Sequence, residues 1–77
     1  MKTPLLAATL IRGDRIRSYQ VRQTSQGWEA SEREDQRVVR TRHYSDWHRV
    51  EHVLQRLTHE ISQLRAQGWR DEQVAIR

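Results

Sequence analysis

His48 and His52 stand four residues apart, the spacing at which one helix can offer two imidazoles to a single metal ion. At about 100° per residue His59 falls within about 40° of both, but it lies nearly two turns beyond His52, too far for the same ion. The chain has no cysteine, and no carboxylate cluster completes a ligand set. The arc therefore reads as a solvated helix face, and neither a metal nor a cofactor is expected. Ser62 and His59 are helical neighbours, but nothing near them in sequence supplies an oxyanion hole or an orienting acid. No glycine-rich phosphate loop exists. Arg12-Gly13-Asp14 spells an adhesion tripeptide and reads as a hairpin turn. No catalytic residue is assigned, and the chain is expected not to be an enzyme.

Arginine is the one abundant chemistry. Thirteen of the fourteen basic residues are arginine, against ten acidic ones, for a net charge of +4. The whole excess lies in residues 1–43, while residues 44–77 balance. Guanidinium is always charged and grips phosphate or carboxylate through two hydrogen bonds, so nucleic acid or an acidic protein partner is the class of ligand to weigh. The opposing reading is an ordinary solvated surface.

A chain of 77 residues with 35% hydrophobic residues, 31% charged residues and a mean hydropathy of −1.00 builds one small domain with a thin core. Without cysteine no disulfide framework is possible. Nothing approaches the roughly 18 apolar residues of a membrane span, so no membrane partner is expected. Lys2 followed by the apolar run Leu5–Ile11 is the minimum for a secretion signal, but the run stops at Arg12 and suits a strand better. A cytoplasmic location is the expectation.

These side chains must be positioned by elements that the turns delimit. Arg12-Gly13-Asp14-Arg15, Thr24-Ser25-Gln26-Gly27 and Glu34-Asp35-Gln36 separate short alternating segments rich in β-branched and aromatic residues. The expected strands are 5–12, 15–23, 27–33 and 37–43, an antiparallel meander. Closing each hairpin at its turn pairs Leu10 with Arg17, Ala8 with Tyr19, Leu6 with Val21, Val21 with Ala30, Gln23 with Trp28, Ala30 with Thr41 and Glu32 with Val39. Opposed residues share a face. One face then collects Leu6, Ala8, Leu10, Tyr19, Val21, Trp28, Ala30, Val39 and Thr41, with His43 beside Trp28 at its rim. The other carries Arg22, Glu29 and Arg42 in one row and Arg40 in the next, with Arg33 beyond.

Ser45 is the expected N-cap of a helix over 45–67, with Trp47, Val50, Leu54, Leu57, Ile61 and Leu64 as its apolar stripe and Gly68 as its stop. The fold expected is α+β: a four-stranded antiparallel β-meander followed by one long C-terminal helix packed on one sheet face. Residues 1–69 form the domain, and the polar residues 70–77 are expected to fray. Such a helix is about 34 Å long, against about 25 Å for a strand. Its last turns then overhang the sheet, and Ile61, Leu64 and Trp69 would be covered by a second copy, unless Trp69 and the tail fold back over them.

Two functional readings follow. The first is a non-enzymatic, homodimeric interaction protein that uses Ile61, Leu64 and Trp69 as its interface. The alternative is a nucleic-acid-binding module that uses Arg22, Arg33, Arg40 and Arg42 on the open sheet face. The alternative lacks exposed aromatic rings on which bases could stack. Over about residues 15–67 the layout resembles the small sheet-and-helix DNA-binding domains found in plant transcription factors and at the start of some phage integrases. This chain has an extra first strand and a longer helix, and no residue is carried over. The resemblance implies DNA contact through the sheet face away from the helix.

Overall fold

The computed structural model describes residues 4–72. Strands β1 (Leu6–Arg12), β2 (Arg15–Thr24), β3 (Gly27–Glu34) and β4 (Arg37–Tyr44) are followed by helix α1 (Trp47–Ala66) and a two-residue strand β5 (Arg70–Asp71). The sheet is antiparallel, five-stranded, and ordered β4-β3-β2-β1-β5. The expectation of four strands is therefore wrong by one. The missed strand comes from the segment expected to fray.

Its formation has a local cause. Gln67 ends the helix and Gly68 follows at φ +102°, a left-handed conformation that glycine adopts without a Cβ clash. The Gly68 N–H donates to the Arg65 carbonyl (3.2 Å) and the Trp69 N–H to the Leu64 carbonyl (3.0 Å), the paired hydrogen bonds of a Schellman turn. The chain reverses and Trp69 packs against the core, with the Arg17 guanidinium 5.7 Å from its ring centre. Arg65 then clamps Asp71 through two hydrogen bonds of 2.8 and 3.1 Å. Leu10 pairs with Asp71 and Ile11 with Arg70. The rest of the expected tail, 73–77, lies outside the described residues.

The first two hairpins have the expected register. The third starts in register, with Glu34 opposite Arg37 and Arg33 opposite Val38, and then shifts, so that Glu32 faces Arg40 rather than Val39. Val39 is the extra residue of a β-bulge. Because side chains alternate, one inserted residue turns the rest of β4 over. Arg40 and Arg42 move to the helix side, opposite Glu32 and Ala30, while Thr41 and His43 move to the open face. The gain is Tyr44, which now lies opposite Trp28 and packs against the core. The unbulged register would have put Thr41 and His43 there instead.

The helix covers one sheet face. Its buried residues are Val50, Val53, Leu57, Ile61 and Leu64, which meet Leu10, Tyr19, Val21 and Ala30. The buried stripe is rotated toward Val53, so Leu54 is only partly buried and Trp47 is 44% exposed. Trp28 is half-buried rather than enclosed, with its ring centre 5.5 Å from that of Trp47. Asp46, one residue after the expected cap, accepts from the His48 N–H (3.0 Å) and opens the helix. Asp and Ser are nearly equal N-caps, so sequence does not separate them.

The Tyr19 hydroxyl donates to Glu60 on the helix at 2.9 Å and ties sheet to helix. Burial pushes the Tyr19 phenol from its ordinary 10.0 up to about 12, and the bond to Glu60 adds to the rise. The folded state holds this proton more tightly than the unfolded chain does. Its contribution is complete below about pH 10 and is lost as pH rises through about 12. Thermal melts of the native chain should therefore fall across that window. Tyr19→Phe should remove that part of the fall; an unchanged alkaline slope in this variant would deny the linkage.

Candidate nucleic-acid interface

The bulge decides where the arginines go. On the open face, Arg22 donates to Glu29 Oε1 from both Nε (3.1 Å) and Nη2 (2.9 Å), and His43 Nε2 lies 3.7 Å from Glu29 Oε2. The expected row Arg22–Glu29–Arg42 is instead Arg22–Glu29–His43. Thr9, Ser18, Gln20, Ser31 and Thr41 line a shallow concavity of about 470 Å³ on this face, with Arg33 at its side. A regular register would gather all four candidate arginines here. Arg22 and Arg33 stay on the open face, while Arg40 and Arg42 leave it.

The helix side gathers a different set. Along α1, Arg49, Val53, Arg56 and Glu60 follow one another at helical spacing and form one flank. That flank looks toward β4: Arg49 and Val53 share a hollow with Tyr44, and Glu60 reaches Tyr19 beside Glu32 and Val39. Arg40 and Arg42 of β4 stand on the sheet face that looks toward α1, opposite Glu32 and Ala30. Arg40 lies 3.9 Å from Glu32. Among the described residues Arg42, Arg49 and Arg56 form no ion pair with an acidic group, so their charge is available to a ligand. The two carboxylates at the far end are each engaged, Glu32 by Arg40 and Glu60 by Tyr19.

Aromatic rings fall into two groups where β4 passes into α1. Trp28 meets Trp47, while Tyr44, His48 and His52 line the hollow that holds Arg49, with the two histidine ring centres 5.2 Å apart. The apolar spacing alone assigns Trp47 to the core stripe and all three tryptophans away from any open surface. It also leaves Arg49 in the charge-balanced half of the chain, which hides its place beside Tyr44. Gly27 lets this junction close: it sits at φ +138°, and a Cβ there would collide with the Tyr44 carbonyl oxygen.

The three residues expected at a dimer interface pack within the chain's own core. Ile61 and Leu64 are 3% and 7% exposed within one chain, and Trp69 is half-buried against the same core. With Trp69 folded back against the same core, this part of the stripe is covered within one chain, the alternative to cover by a second copy. No group of three or more metal-ligating side chains occurs among the described residues. Among them, too, no helix is long and apolar enough to cross a membrane. What stands is a small, compact, basic domain that measures 36 × 29 × 21 Å.

No protein-family model matches the chain, and no curated protein or solved structure matches it significantly. The functional reading therefore rests on the geometry of the β4–α1 junction.

Proposed function

We propose that the domain is a non-enzymatic nucleic-acid-binding module whose contact surface is the cleft between β4 and α1. One observation carries the reading: the unpaired Arg49 lines a single hollow with the rings of Tyr44, His48 and His52. Arg49, with Arg56 farther along the same helix flank and Arg42 on the facing side of β4, supplies charge for phosphates, and the three rings supply flat faces. Cations that track a backbone, interleaved with aromatic platforms, are the two components of nucleic-acid grooves. Neither paired surface ions nor buried rings would serve, and the open face offers mainly hydroxyls around a neutralised Arg22.

Fluorescence anisotropy of labelled DNA and RNA across a salt series tests this. Three contacts to phosphate imply a slope of log K against log salt of about −2 to −3. Arg42→Ala and Arg49→Ala should each weaken binding to all sequences alike and lower that slope by about 1. Arg22→Ala should change neither. A second reading keeps nucleic acid on the open face, because Arg33 there also lacks an acidic partner among the described residues. It predicts that Arg33→Ala, and not Arg49→Ala, carries the loss.

A further inference from the structure

We infer that the ligand is a single strand and that one unpaired nucleobase occupies the hollow between the end of β4 and the first turns of α1. This rests on the nucleic-acid reading and goes beyond it by naming the form of the ligand and the seat of a base. The hollow is about 320 Å³ and is lined by Tyr44, His48, Arg49, His52 and Val53, with mostly apolar walls. Tyr44 is fixed from behind by its pairing with Trp28 and its packing on the core, so it forms a rigid wall. His48 and His52 project from successive helical turns, and their rings are tilted by 56° to one another. Val53 closes the bottom and belongs to the core. Arg49 supplies a planar cation at the edge.

The occupant follows from this chemistry. An apolar, ring-lined seat takes a flat heteroaromatic group, and Arg49 in its lining takes the adjoining phosphate. Bases in a duplex are stacked and paired, and reaching this seat would require one to be extruded. A single strand offers its bases free, and its flexible backbone can follow a short cationic cleft. The histidine pair has a rival use as a metal chelate. Glu51 lies 3.8 Å from His48, but the described residues hold no group of three side chains that could bind a metal ion.

Short oligothymidylate, oligouridylate, an abasic strand of the same length and a duplex of the same length separate the possibilities. Fluorescence anisotropy of the labelled strands gives the readout. The two base-bearing strands should bind roughly tenfold more tightly than the abasic strand, which carries the same phosphates. His52→Ala should lower affinity for oligothymidylate several-fold and leave the abasic strand unaffected. His52 is exposed, so the variant keeps its core; circular dichroism verifies this. Equal binding of base-bearing and abasic strands, or tighter binding of the duplex, would overturn the base seat while leaving the phosphate contacts standing. Absence of binding to all four would overturn both readings.

Discussion

Leu57→Ala should lower the unfolding free energy by about 2–5 kcal/mol. Leu57 is 1% exposed, at the middle of the helix face that meets Leu10 and Val21. Truncation removes burial and leaves a cavity that a β-sheet backbone on one side and a helix on the other close only in part. A domain with so thin a core holds a small total stability, so much of the chain should be unfolded near physiological temperature. Urea unfolding followed by far-ultraviolet circular dichroism gives the value. A midpoint equal to that of the native chain would mean that the helix packs through a different face.

Gly27→Ala should cost a comparable amount, about 2–5 kcal/mol, by a different route. At φ +138° an L side chain is strained, at roughly 1–2 kcal/mol. The new Cβ would also meet the Tyr44 carbonyl oxygen and lie against the Ser45 Cα, and displacing packed backbone adds roughly 1–3 kcal/mol. Because the collision is with the strand end that leads into α1, the variant should also loosen the Trp28–Trp47 contact. Near-ultraviolet circular dichroism would report that loss. Gly13, at φ +63° with open space around it, is the control: Gly13→Asn should be far milder. A Gly27→Ala chain as stable as the Gly13 variant would show that β3 and Tyr44 do not approach so closely.

What the sequence makes legible follows from where local chemistry dominates. Gly13 and the Ser25-Gln26-Gly27 turn set two registers without error, because a slip would expose Val21 and Ala30. The third register departs from the regular pattern after Val38. Val39 and Tyr44 are five residues apart and both belong on the helix side, which a regular strand forbids; that parity conflict is the available sign of a bulge. The bulge alone relocates Arg40, Arg42 and His43. The tail is illegible because pairing of Arg70 and Asp71 with β1 depends on Trp69 docking and on the Arg65–Asp71 clamp, both tertiary events. The same fold-back removes the reason for a dimer through Ile61 and Leu64. Of the proposed site, arginine as its chemistry and Arg42 as a member are legible, although a regular strand assigns Arg42 to the opposite face. Its rings, Tyr44, His48 and His52, lie outside the apolar stripe and give no such sign.

The most direct test is a heteronuclear NMR titration of the whole chain with oligothymidylate at low and at moderate salt, with polyglutamate as an equally charged control. Binding at the β4–α1 cleft predicts shifts at Arg42, Tyr44, His48, Arg49 and His52, weakened at the higher salt and much smaller with polyglutamate. Shifts confined to Ser18, Gln20, Ser31 and Thr41 on the open face, or no shifts at low salt, would contradict it.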